Sequence, residues 1–132
     1  MNGPMKTFMD RMLPLSNPFA EVKNGLVRKL GRDDVKYSKV VLVSSCGLPG
    51  VHNFDSLVHL MEMQCRFREK EFSGSLLRPT SRAMPVEGEK EILMAAEVAG
   101  RQLVRDGVIE KGVLDQVSRS YTSVEELSLI HI

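Results

Sequence analysis

Residues 39–55 read KVVLVSSCGLPGVHNFD, and this stretch decides the fold. Its apolar run, residues 40–43, is unbroken, which is typical of a strand covered on both faces, the usual state of a strand in a parallel sheet. The small and turn-forming residues 44–50 follow, and their side chains shield the backbone N–H groups little. We therefore expect a parallel strand with an open loop at its carboxyl end, where a ligand can approach the backbone closely.

A helix is predicted directly after this loop. Apolar residues recur there at helical spacing and mark one face: Phe54, Leu57, Val58, Met61 and Cys65. Asn53 is the predicted N-cap, because asparagine is among the residues preferred at that position. Strand, open loop and capped helix together predict an α/β fold with binding groups at the carboxyl end of the strand.

The segments before the central strand differ in regularity. A short amphipathic helix is predicted between Pro4 and Pro14, with Met5, Phe8, Met9 and Met12 on one face. Residues 15–39 contain proline, glycine and mixed charges without sustained periodicity, so we expect a loop with at most a short hairpin.

The segments after it predict one strand and several helices. A short strand opens at Glu71 and closes at Arg78, and Gly74 within it allows close packing or a kink. The strongest helix pattern runs over residues 87–106, with Gly107 as a left-handed cap. Its apolar face is formed by Ile92, Ala95, Ala96, Ala99 and Leu103. A further short helix is indicated by Val113, Leu114 and Val117, and capping boxes at residues 122–126 predict another.

Composition and charge exclude several classes of function. The chain has 132 residues and a formal net charge of +1, without a basic stripe, so we expect no nucleic-acid partner. Its apolar runs are far shorter than the roughly 20 residues that span a bilayer, so no membrane contact is expected. Two cysteines are too few for a disulfide framework, and we expect a cytoplasmic protein.

Three motifs resemble, in order and spacing, those of the flavodoxin-like NAD(P)H-dependent FMN reductases, including the multimeric-flavodoxin type of flavoprotein. They are GPMKTFMDRMLPL (residues 3–15), VLVSSCGLPGVHNFD (41–55) and FSGSLLRP (72–79). The resemblance covers about residues 2–127. It implies a flavodoxin-like three-layer sandwich with a parallel sheet, truncated to its last two strands and flanking helices, so that the chain begins in the middle of the family's domain.

The resemblance also implies a division of the chain. Residues 1–107 would be the C-terminal part of the flavodoxin-like domain, and residues 108–126 a helical C-terminal extension. The last six residues, LSLIHI (127–132), read as a translated sequencing adapter. We therefore exclude them from functional reasoning.

The activity implied is that of an FMN-dependent oxidoreductase, which passes hydride from NAD(P)H through FMN to a small acceptor such as a quinone or a flavin. The cofactor-binding residues carried over from the resemblance are Asn2, Gly3, Ser44, Ser45, Cys46 and Gly47. Backbone N–H groups at residues 45–47 would favour the negative charge of a reduced flavin. No catalytic side chain is expected, because the cofactor carries the chemistry.

Two further expectations concern the cofactor and the assembly. Flavodoxin-like proteins hold the FMN phosphate in a Ser/Thr-rich loop after their first strand, and no such loop precedes residue 40 here. We therefore expect this chain alone to bind FMN weakly or not at all and to be inactive. The full-length protein is expected to be a homo-oligomer.

Other interpretations stay open. A flavodoxin-type electron carrier without direct use of NAD(P)H is the main alternative, although such carriers are usually strongly acidic for docking. A helical interaction module without cofactor is another. Two roles are open for Arg78. It could contact a phosphate of a nicotinamide cofactor, or it could cap the strand end or pair with a nearby acidic residue.

The cysteines and histidines offer two weaker alternatives. A zinc site of Cys46, His52, His59 and Cys65 lacks the paired spacing of zinc ligands, so no metal site is predicted. Cys46 as a nucleophile would need a positioned base, for which His52 is the local candidate.

Overall fold

A computed structural model describes residues 3–32, 39–81 and 85–121. Its helices are α1 (Gly3–Arg11), α2 (Asp55–Phe67), α3 (Val86–Asp106) and α4 (Lys111–Val117). Its strands are β1 (Ser16–Lys23), β2 (Leu26–Gly31), β3 (Lys39–Ser45) and β4 (Glu71–Arg78), and short 3₁₀ turns precede β1 and α2. The chain divides into two compact units, the first formed by Met1–Val40 with His59–Phe72 and the second by Val41–Val58 with Ser73–Ile132.

Strands β3 and β4 form a two-stranded parallel sheet. Lys39 Nζ lies 2.8 Å from Glu71 Oε1 where both strands begin. The Cys46 N–H donates to the Arg78 carbonyl oxygen at 3.0 Å, where both strands end. The predicted strands at residues 40–43 and 71–78 are therefore confirmed, and the fold is a mixed α/β fold with flanking helices.

The expectation that β3 is covered on both faces is wrong at Val43. Leu42 is buried, whereas Val43 is 72% exposed. In the described part of the chain β3 pairs with β4 and with no further strand. Val41, two residues earlier on the same face, packs against the buried cluster that contains Ala99, so the cover over this face ends before Val43.

The second unit has its core where α3 and α4 pack against β4. Ile92, Ala95 and Val117 form one buried cluster, and Ala99, Ile109 and Val113 form another. Leu76 of β4 packs against both. The predicted apolar face of α3 is confirmed, as is the left-handed cap at Gly107 (φ 72°), whose N–H donates to the Leu103 carbonyl oxygen. The helix predicted after residue 122 lies outside the described residues.

The first unit contains an antiparallel hairpin that the sequence analysis underestimated. β1 and β2 pair over eight and six residues, where we expected at most a short hairpin. Asn24 (φ 54°) and Gly25 (φ 74°) form the turn between them, and Asn-Gly is the pair that a two-residue hairpin loop favours. Apolar side chains of the hairpin are exposed in the described structure, since Phe19 is 77% and Val22 75% exposed.

Helices α1 and α2 lie where the sequence predicts them. On α1, Lys6 Nζ lies 2.6 Å from Asp10 Oδ2, and the predicted apolar face is not covered in the described structure, since Met5 is 50% and Phe8 59% exposed. The predicted apolar face of α2 is confirmed, because Phe54 and Cys65 are buried and the three residues between them on that face are half-buried. None of the described helices has the length and apolar character needed to cross a bilayer.

Candidate functional site

The candidate site is formed by the loops that follow β3 and β4, residues 46–50 and 79–81, which we call the paired loops. Both lie at the carboxyl ends of parallel strands, the place where open α/β sheets bind ligands. Main-chain hydrogen bonds join them: the Thr80 N–H donates to the Leu48 carbonyl oxygen (3.1 Å) and the Ser81 N–H to that of Cys46 (3.0 Å). The Ser81 hydroxyl reaches the same Cys46 oxygen at 3.1 Å. The two loops therefore act as one fixed surface.

Gly50 and Asn53 shape the first of the paired loops. Gly50 has φ 88°, and a Cβ there would lie 2.5 Å from His52 Cε1, so the position requires glycine. Asn53 Nδ2 donates to the carbonyl oxygens of Pro49 (2.5 Å) and Gly50 (3.0 Å). The predicted N-cap role of Asn53 is therefore wrong. A 3₁₀ turn over Val51–Phe54 already places Asn53 inside the helical segment, where a short amide side chain bonds backwards to carbonyl groups.

The predicted flavin contacts fall in separate parts of the described chain. Ser44, Ser45, Cys46 and Gly47 are contiguous and belong to the second unit. Gly3 is the first residue of α1 in the first unit, and Asn2 lies outside the described residues. The structure thus brings four of the six residues together, beside residues 78–81.

The backbone donors of residues 46 and 47 are not equivalent. The Cys46 N–H is engaged by the Arg78 carbonyl oxygen, so it does not meet the expectation of a donor to a ligand. Gly47 is exposed, and its N–H has no acceptor among the described residues. An added Cβ at Gly47 would meet no atom within 4 Å. The backbone at Gly47, with the exposed side chain of Ser45, is what this loop offers to a ligand.

Arg78 is buried beneath the second of the paired loops, with 8% of its surface exposed. Its Nη1 donates to the Arg119 carbonyl oxygen (2.5 Å), and its guanidinium carbon lies 5.7 Å from the centre of the Tyr121 ring. Burial lowers the pKa of Arg78 below its ordinary value. Of the roles that we weighed for Arg78, the described contacts show neither a strand-end cap nor an ion pair, because the acceptor is a backbone oxygen that follows α4.

Sequence reasoning missed Thr80 and Tyr121. Thr80 is 1% exposed, and its hydroxyl has no hydrogen-bond partner among the described residues. Tyr121 packs its ring on Gly88 of α3, where an added Cβ would lie 3.1 Å from the ring, and its hydroxyl donates to Glu91 Oε2. Neither residue belongs to a periodic pattern or a motif, so no local signal marks them.

The cysteines do not form a site with the histidines in the described structure. Cys46 is half-buried in the loop, and its thiol lies 3.3 Å from the Leu48 carbonyl oxygen. Cys65 is buried in α2, where desolvation raises the pKa of its thiol. Across residues 3–32, 39–81 and 85–121, no three His, Cys, Asp or Glu side chains are grouped as metal ligands would be.

The first unit contains a separate groove of about 530 Å³. Met9 and Leu13 line one side of it, Leu60 and Phe67 the other, and Gly3 lies at its edge. Of the predicted flavin contacts, only Gly3 is among the described residues that line it. Nothing in the structure indicates what fills this groove.

Comparison with known proteins adds no family. No protein-family model, curated protein or solved structure matches the chain.

Proposed function

We propose that this chain is part of an FMN-dependent NAD(P)H oxidoreductase with a flavodoxin-like fold, which passes hydride from NAD(P)H through FMN to a small acceptor such as a quinone or a flavin. The observation that carries the proposal is the segment of residues 44–47 at the carboxyl end of a parallel strand, where Ser45 and Gly47 are exposed. This is where doubly wound α/β proteins bind a cofactor. The three sequence motifs support the same interpretation.

The paired loops suit one edge of a flavin ring. A flavin presents carbonyl oxygens along its pyrimidine edge, and the Gly47 N–H has no acceptor among the described residues. The exposed side chain of Ser45 offers a second polar group next to it. A donor at this edge favours the negative charge that a flavin gains on reduction.

The hydrogen bonds between the paired loops have a role in this proposal. They hold the Gly47 backbone in place before a ligand arrives, so little conformational entropy is lost on binding. Bound FMN would supply the hydride chemistry, and the chain would supply position, shape and donors. A protein nucleophile is therefore not needed for the proposed reaction.

The test uses the complete protein from its natural reading frame and, in parallel, the 132-residue chain. Each is titrated with FMN while flavin fluorescence is followed, and NADH or NADPH is then added without oxygen. We expect the complete protein to quench the fluorescence and its bound flavin to lose the oxidised absorbance band. Tight binding by the 132-residue chain would contradict the expectation that its phosphate anchor is missing.

Two variants connect the result to the loop. Gly47→Pro removes the N–H and is expected to weaken FMN binding about tenfold, the loss of one hydrogen bond to a flavin carbonyl oxygen. Gly47→Ala keeps the N–H and fits the open space, so it serves as the matched control. Bound flavin that no nicotinamide reduces would favour the electron carrier instead. Absence of bound flavin would contradict both and favour the helical interaction module.

A further inference from the structure

Arg78 has hydrogen-bonding capacity that the described chain does not use. Its Nε and Nη2 atoms are buried and have no partner there, whereas Nη1 is bonded to the Arg119 carbonyl oxygen. Nε and Nη2 form one edge of the guanidinium group, and two parallel donors on that edge match the paired oxygens of a carboxylate or a phosphate. A buried donor pair without an acceptor is costly, so its presence requires an explanation.

Thr80 supplies a second, independent observation at the same strand end. It is 1% exposed and its hydroxyl oxygen has no partner in the described part of the chain. Its φ of 50° is unusual for a β-branched residue, and strain of this kind is concentrated at binding sites. Three unmatched polar atoms thus belong to residues 78–80, at the carboxyl end of β4.

Two partly exposed residues, Arg119 and Tyr121, contact the guanidinium of Arg78. The Tyr121 ring lies against the guanidinium on one side, and the side chain of Arg119 lies 5.4 Å from the centre of the same ring. Tyr121 is only half-buried, and the Arg119 side chain is 67% exposed. Among the described residues, Arg119 and Tyr121 thus contact the guanidinium of Arg78 and are themselves partly exposed, and we call residues 119–121 the cover.

We propose that the Nε and Nη2 edge of Arg78, two residues from the strained Thr80, is a binding site for an oxyanion of the carboxylate or phosphate class, and that Tyr121 is a displaceable cover over it. The cover supplies one acceptor, the Arg119 carbonyl oxygen, and leaves the edge that an oxyanion would fill. Arg119 adds a second positive charge beside the ring, and the Glu91 carboxylate, 4.0 Å from Arg119 Nη1, offsets part of it. The site is independent of flavin binding and does not rest on the function proposed above.

The experiment titrates the 132-residue chain with inorganic phosphate and, separately, with acetate, against chloride at constant ionic strength. The midpoint of thermal unfolding and the Nε–H NMR resonance of Arg78 are followed. We expect one or both anions to raise the midpoint and to shift that resonance, because a ligand that binds the native state stabilises it. A response to phosphate alone identifies a phosphate ligand, and a response to acetate identifies a carboxylate.

Three variants make the outcome specific. Arg78→Lys keeps the charge but loses the paired donors, so the anion affinity is expected to fall roughly ten- to hundredfold. Arg101→Lys is the matched control, since Arg101 is exposed on α3 and pairs with Glu97, and it is expected to behave as the wild type. Tyr121→Ala opens the cover and should raise the affinity about two- to thirtyfold, the equivalent of one cation–π contact.

Two results would overturn the proposal. One is an Arg78 Nε–H resonance that neither anion moves, in the wild type and in Tyr121→Ala alike. The other is an equal rise in the unfolding midpoint for wild type and Arg78→Lys. If Arg78→Lys does not fold, the wild-type resonance and Tyr121→Ala still decide, because both retain Arg78.

Discussion

Replacing Gly74 by alanine tests how β4 is held against the helices of the second unit. Gly74 has φ 131°, a conformation that residues with a side chain rarely adopt. A Cβ at this position would lie 3.5 and 3.8 Å from the two terminal carbons of Leu114 and 4.0 Å from Ile109 Cδ1. These are ordinary contact distances, so the space is sufficient and the cost should lie in the backbone.

The expected loss of stability in Gly74→Ala is the cost of the backbone conformation alone, because a Cβ fits the available space. A side chain forced into a sparsely populated backbone region costs about 1–3 kcal/mol, and we expect Gly74→Ala to lower the free energy of unfolding by this amount. Gly100→Ala is the control, because Gly100 lies inside α3 with nothing within 4 Å of an added Cβ. There alanine should raise the free energy of unfolding by about 0.5–1 kcal/mol.

Urea unfolding followed by circular dichroism measures both changes. A double-mutant cycle with Leu114→Ala distinguishes the backbone cause from a steric one. If the cost is conformational, removing the Leu114 side chain should not relieve it, and the coupling energy should stay within about 0.5 kcal/mol. If Gly74→Ala were as stable as the wild type, the reasoning would be refuted. Strong coupling to Leu114 would show that the cost comes from a steric clash and not from the backbone conformation.

Three further changes have defined outcomes. Asn53→Asp should lower the free energy of unfolding by about 1 kcal/mol, measured in urea, because the amide donor to two loop carbonyl oxygens is lost; a true N-cap would tolerate aspartate without loss. Ala99→Leu should cost about 1–3 kcal/mol in the same assay, since Ala99 is 0% exposed, while Val104→Leu on the exposed face of α3 should change little. The free energy of unfolding should fall as the pH rises above the ordinary thiol pKa of 9.0, because burial raises the pKa of Cys65 in the folded chain and the thiol ionises first in the unfolded chain. Urea titrations at several pH values measure this fall. Cys65→Ala should remove the part that is due to this thiol, and Cys46→Ala should retain it.

The elements that the sequence predicts well are those with a strong local pattern. Helix α3 has a regular apolar face and a glycine stop at Gly107, and β3 has an unbroken apolar run. Each of these patterns depends only on the residues of its own segment. It can therefore be recognised without knowing which distant residues the segment contacts. For the same reason the limits of β4 at Glu71 and Arg78 were predicted correctly.

The hairpin is longer than predicted because its main sequence signal is a turn and not a periodic pattern. The Asn24-Gly25 pair is a strong turn signal, yet the flanking segments lack clean alternation of apolar and polar residues. Apolar side chains such as Phe19 are exposed in the described structure, so no buried face imposes a period of two on the strands. The turn chemistry therefore carried more information than the periodicity.

The details of the candidate site depend on contacts between residues far apart in the sequence. Whether the Cys46 N–H is available is decided by the Arg78 carbonyl oxygen, and the Arg78 guanidinium is contacted by Arg119 and Tyr121, about 40 residues later in the chain. Sequence reasoning placed an open loop at the correct strand end, but pairing between loops selects which donors stay unoccupied. Gly47 is such a donor in the first loop, and the free edge of Arg78 is such a donor pair beneath the second. A ligand at this end of the sheet would therefore be recognised by the hydrogen-bond donors that the pairing between the loops leaves unoccupied. The sequence pattern of one segment does not encode which donors these are.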